Sequence, residues 1–158
     1  MKVYSISLLL MGFLIWSGCS KPPIYNDTPT ITSVKFSESE VQQQTGLITF
    51  LIGFTDGDGD LGTTESGDFD LLIIDTRRND TSFYQIPIIP SKGVASGISG
   101  EIEVDVSQIC CIDPDLPIAC SPIANTYQEV TYKVKIRDQA GRWSNEAESP
   151  ALSVKCFE

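Results

Sequence analysis

The chain contains no histidine. That absence removes the commonest general base, the commonest zinc ligand and the side chain whose charge ordinarily changes near neutral pH. Basic residues are scarce too. Lys and Arg number 11 against 21 Asp and Glu, for a net charge of −10 over 158 residues. Proteins that track a phosphate backbone rely on Lys and Arg, so this balance argues against a nucleic-acid partner. The most apolar segment, residues 6–16, is shorter than the roughly 20 residues a helix needs to cross a bilayer. No window sustains a 3.6-residue apolar period, which argues against a helical fold.

What the chain does contain is alternation. Its composition is 41% hydrophobic, enough for one folded domain of ordinary size. Ile31, Val34 and Phe36 open a first strand, and Leu47 to Phe54 reads as a long central one. Phe69 to Asp75 gives a third strand, and Thr81 to Ile86 returns as a hairpin after a turn at Arg77 to Asp80. Gly100 to Val106 alternates strictly, with Ile102, Val104 and Val106 on one face and acids on the other. In Glu129 to Asp138, Val130, Tyr132, Val134 and Ile136 point in, while Lys133, Lys135 and Arg137 point out. Ala151 to Cys156 closes the chain. The pattern predicts an all-β, antiparallel β-sandwich of about seven strands over residues 30–158, with Ser37 to Gly46 as loop.

The first 18 residues read as a leader. Lys2 precedes the apolar segment, and small residues follow it at Ser17 and Gly18. The ending Trp16-Ser17-Gly18-Cys19 resembles the lipobox of bacterial lipoproteins, with Trp16 where Leu is usual. The resemblance implies a diacylglycerol thioether on Cys19, which would anchor the protein to a membrane. Residues 19–29 carry three prolines at Pro22, Pro23 and Pro29 and read as an extended tether. Ser20 is not the aspartate associated with inner-membrane retention, which implies an outer-membrane location, periplasmic or surface-exposed.

Export makes disulfides the expected state of the four remaining cysteines, Cys110, Cys111, Cys120 and Cys156. A bridge between the neighbours Cys110 and Cys111 would be strained. One of the two should join Cys120 and the other Cys156, with the assignment open.

The densest chemistry lies in Asp56-Gly57-Asp58-Gly59-Asp60. Asp56, Asp58, Asp60, Glu65, Asp68 and Asp70 follow one another with no Lys or Arg between them. Carboxylates held about 4 Å apart repel by about 4 kcal/mol at an effective dielectric of 20. A loop that gathers them therefore calls for a cation or for generous solvent. Hard oxygen ligands suit Ca²⁺, and Asp56, Asp58, Asp60, Asp68 and Asp70 are the candidate ligands. An EF-hand is excluded, because Leu61 stands where its glycine is required and Gly67 where its bidentate glutamate belongs. The spacing resembles the Asp-x-Asp-x-Asp loops of extracellular repeat proteins. That likeness implies a weak structural Ca²⁺ between two strands, and the competing reading is a solvated acidic turn.

Tyr132 to Asn145 resembles the last hairpin of immunoglobulin-like or fibronectin-III-like domains of bacterial surface proteins. There a Tyr-x-Val-x-Val strand runs into Asp-x-Ala-Gly-x-x-Ser-Asn. Together with the lipobox and the acidic turn, the chain resembles small outer-membrane lipoproteins of Bacteroidota-type bacteria. The resemblance implies an immunoglobulin-like sandwich on the cell envelope, acting as a non-enzymatic module for an unknown protein or glycan partner. The alternatives are a purely structural subunit of an envelope complex and, more distantly, a glycan hydrolase using two carboxylates.

Overall fold

The computed structural model describes residues 23–63, 65, 68–90, 97–113, 115, 120 and 126–156. The leader and Cys19 lie outside the described residues.

Among the described residues every regular element is a strand. In order they are β1 (Thr30–Phe36), β2 (Glu40–Gln42), β3 (Leu47–Asp56), β4 (Leu71–Asp75), β5 (Asp80–Tyr84), β6 (Ile98–Ser107), β7 (Tyr127–Val130), β8 (Tyr132–Ile136), β9 (Ala147–Glu148) and β10 (Leu152–Lys155). They form a β-sandwich. One sheet has the order β1-β3-β6, and the others run β2-β10-β7 and β5-β4-β8-β9. β3 is the central ribbon, paired antiparallel with β1 and along its whole length with β6.

The expected strands are present, and ten replace seven because β2 and the two-residue β9 are added and one predicted strand divides in two. Ser37 to Gly46 is not all loop. Glu40 to Gln42 forms β2, which pairs parallel with β10 in an otherwise antiparallel fold. Its inward side chain, Val41, is a single apolar residue in a polar stretch and left no periodic signal. The predicted strand 129–138 is interrupted at Thr131, so that β7 pairs with β10 and β8 with β4 and β9.

The core is built from the inward parity of these strands. Ile48, Phe50, Ile52 and Phe54 of β3 are buried, as are Tyr132, Val134 and Ile136 of β8. The Phe50 and Tyr132 rings meet edge to face across the layers at 5.2 Å, and within one sheet Phe36 meets its paired neighbour Phe50 at 4.8 Å. Edge-to-face packing of this kind adds about 0.5–1.5 kcal/mol per pair beyond the area buried.

Cys110 pairs with Cys120 and Cys111 with Cys156, at Cα separations of 4.4 and 5.8 Å. Arg77 ties this region to β4. It bonds the Asp75 carboxylate at 2.6 Å and donates to the Cys110 carbonyl at 3.0 Å. Two of the outward cations in 133–137 are paired. Lys133 pairs with Glu146 at 2.8 Å, and Arg137 with Asp68.

Candidate metal centre at the acidic end of the sandwich

The inward row of β3 continues past its apolar residues. After Ile48, Phe50, Ile52 and Phe54, the next inward position is Asp56, which is 0% exposed. The inward row of β8 behaves the same way. After Tyr132, Val134 and Ile136 comes Asp138, 4% exposed. One carboxylate from each layer is thus carried into the interior at the same end of the fold.

The turn after β3 adds two more. Gly59 takes a positive φ of 71°, a conformation that glycine adopts without cost. Gly57 has a different role, because a backbone segment passes directly against it. Its N–H donates to the Asn26 carbonyl at 2.7 Å, and a Cβ there would lie 2.6 Å from the Asn26 carbonyl carbon. Leu61 then turns inward, fully buried, and pairs with Asp138 in an isolated antiparallel bridge. The Gln139 N–H donates to the Asp60 carbonyl at 3.2 Å. The position an EF-hand reserves for glycine is thus filled by a core side chain.

This pairing assembles Asp56, Asp58, Asp60 and Asp138, whose carboxylate oxygens lie within 4.8 Å of one another. The group could hold a metal ion. Asp138 is absent from the ligands expected of the acidic run for a plain reason: it stands 82 positions after Asp56 in the chain. The available signal was parity, since an acid follows directly on an inward apolar row. Asp68 and Asp70 stand apart from the group. Asp68 is taken by Arg137, and the Asp70 carboxylate accepts the Ile86 N–H at 2.6 Å. Asp70 is drawn there because the chain must re-enter the sheet at Leu71, next to β8 and β5.

Arg142 is the cation bonded to the cluster. It pairs with Asp58, reaches Asp138 at 2.6 Å and stands 3.8 Å from Asp60. One guanidinium thus faces four carboxylates. The Asp60 N–H donates to Asp56 Oδ2 at 3.1 Å. Asp56 Oδ1 and Asp60 Oδ1 are buried and meet no hydrogen-bond donor among the described residues. A buried carboxylate oxygen without a partner is costly, and a cation is one means of satisfying it.

The charges respond accordingly. Burial, with Asp58 and Asp60 close by, raises the Asp56 carboxyl to about 6. Burial also raises Asp60, helped by Asp138 and Asp58. Burial pushes Asp58 upward too, but the Arg142 guanidinium outweighs it and holds that carboxyl below its ordinary value. The two carboxyls without a full counterion are thus the ones held high.

No protein-family model, curated protein or solved structure matches the chain.

Proposed function

We propose that this chain is a lipid-anchored protein of the bacterial outer membrane whose sandwich is a non-enzymatic binding or interaction module, stiffened by one structural Ca²⁺. The metal part is carried by one observation. Asp56 is completely buried, its Oδ1 has no donor among the described residues, and three further carboxylates lie within reach. Ca²⁺ takes about six to eight oxygens in flexible geometry, and four carboxylates can supply most of them. The affinity expected of an extracellular module is about 10⁻⁴ to 10⁻³ M. The immunoglobulin-like reading is supported by the order β1-β3-β6 on one side and the parallel pairing of β2 with β10 on the other.

The anchor reading rests on Trp16 to Cys19. Residues 25–27 run against Gly57, so a tether rising from Cys19 reaches the domain beside the acidic turn. On this reading the metal end faces the membrane, and a partner would meet the opposite end or the sheet faces.

A second reading has its own observation. Arg142 already bonds Asp58 and Asp138, and could serve as the cluster's counterion without any metal. Thermal melting in Ca²⁺ and in chelator separates the two, repeated for Asp58→Ala. Calcium at ten times its dissociation constant should add about 1.4 kcal/mol to the unmodified chain and less to the variant. A melting temperature that ignores Ca²⁺ in the unmodified chain would sink the metal reading. Intact-mass measurement of the membrane-extracted chain, with Cys19→Ser as control, tests the anchor.

A further inference from the structure

Adjoining the acidic cluster, and sharing Asp138 with it, lies a cleft of about 320 Å³, bordered also by Glu65, Asp68, Asp70, Arg137 and Gln139. Its volume sits at the low end of the roughly 300–1,000 Å³ usual for small-molecule sites. Its floor is formed where residues 61–63 run beside residues 86–89, the Thr63 N–H donating to the Ile86 carbonyl at 3.0 Å and the Ile89 N–H to Leu61 at 3.3 Å.

Asp70 is the unusual member of this wall, at only 3% exposed. Its N–H donates to Tyr84, its carbonyl accepts from Arg137, and its Oδ1 accepts from Ile86. Its Oδ2 is buried and has no partner among the described residues. The nearby cations make their ion pairs elsewhere, although the Arg137 charge is felt at the Asp70 carboxyl, where burial outweighs it. Arg137 is paired with Asp68 and donates to the Phe69 carbonyl at 2.9 Å, and Arg142 serves Asp138 and Asp58. Among the described residues no Lys or Arg forms an ion pair with Glu65 or Asp70.

From this arrangement we infer a binding site for a primary alkylammonium group, with Asp70 as its buried acceptor and Glu65 at its rim. A metal ion fits the cleft less well. Calcium–oxygen distances near 2.4 Å require ligand oxygens within about 5 Å of one another. Of the acids bordering the cleft, only Asp138 belongs to such a group. An ammonium carries three donors and reaches each oxygen at about 2.7–2.9 Å, so it tolerates wider spacing. Its charge also offsets a buried carboxylate, which a neutral hydroxyl cannot do. The group could belong to a free amine or to a lysine side chain of a partner, and the chemistry of capture is the same.

The test uses the full chain in a mild non-ionic detergent and titration calorimetry. Cadaverine represents a free amine, Nα-acetyl-lysine methylamide a lysine side chain, and 1,5-pentanediol a neutral control of matched length. At least one amine should bind and the diol should not. Asp70→Asn should weaken amine binding by about ten- to a hundredfold, the loss expected for one charge-assisted hydrogen bond. Should that variant fold poorly, the unmodified chain still decides. Its Ile86 amide, bonded to Asp70, should shift in the NMR spectrum on adding amine and not on adding diol. Absence of amine binding, equal binding of the diol, an unmoved Ile86 amide or an indifferent Asp70→Asn would each overturn the inference. The two readings fail separately although they share Asp138: Asp58 does not border the cleft, so Asp58→Ala should lose the calcium response and keep the amine.

Discussion

Asp56 and Asp138 end the inward rows of β3 and β8, one from each layer of the sandwich, and their carboxylates meet within 4.8 Å. Like charges so placed must be offset by something. Arg142 offsets part, and the oxygens left over define what the site can accept.

If the cluster takes a metal ion, Arg142 would compete with it for the same carboxylates. Replacing it with glutamine should lower the melting temperature in chelator, since four acids would then stand without their cation. In Ca²⁺ the loss should be largely restored. The apparent dissociation constant for Ca²⁺ should fall about two- to fivefold, the size of one solvent-screened ion pair. Calcium titrations followed by melting temperature give both quantities. Loss of stability with no recovery in Ca²⁺ would mean that Arg142 alone is the counterion.

Protons should compete with the ion as well. The Asp56 carboxyl is raised in the fold from 3.8 to about 6. The folded chain thus holds that proton more tightly than the unfolded chain does. The resulting stability is fully present below pH 3.8 and is lost as pH rises through about 6. In chelator, melting temperatures recorded from pH 4 to 8 should show this loss relative to Asp56→Asn, in which the group cannot titrate. With Ca²⁺ the order reverses, and the stabilising effect of the ion should grow across the same interval. A pH-independent difference between the two proteins would count against a strained carboxyl at Asp56.

Gly57 should tolerate no side chain. A Cβ would meet the Asn26 carbonyl carbon at 2.6 Å, the Asp27 nitrogen at 2.7 Å and the Tyr25 oxygen at 2.7 Å. All three are backbone atoms and cannot swing aside. Gly57→Ala should cost about 1–3 kcal/mol, the usual range for overpacking, seen as a lower urea midpoint. The bond from its N–H to Asn26 should weaken too, so hydrogen exchange at that amide should accelerate. An unchanged midpoint would show that residues 25–27 are not held against the turn.

Much of the fold is legible in the residues. Strict alternation in 100–106 and 129–138 marks strands because side chains on a pleated ribbon face opposite sides in turn. The four cysteines and the strain of an adjacent bridge narrowed the disulfides to two pairings. Other parts were not legible. β2 buries one short apolar side chain, too little for a periodic signal, and exists because β10 offers it an edge. Asp68 and Asp70 share the acidic run with Asp56 to Asp60, yet leave the cluster. Their destinations depend on Arg137 and Ile86, which the pairing of β4 with β5 and β8 brings near.

The sequence by itself determined the class of fold, the strands that build its core and the density of carboxylates after β3, because these follow from local alternation and local composition. Only the tertiary structure decided which carboxylates meet. Asp138 joins Asp56 because the Leu61–Asp138 bridge and the two inward rows bring distant ends of the chain to one place. Asp70 is left in the adjoining cleft because pairing of β4 carries it away from Asp56 to Asp60. Proximity across layers is a property of strand pairing, and linear spacing does not encode it.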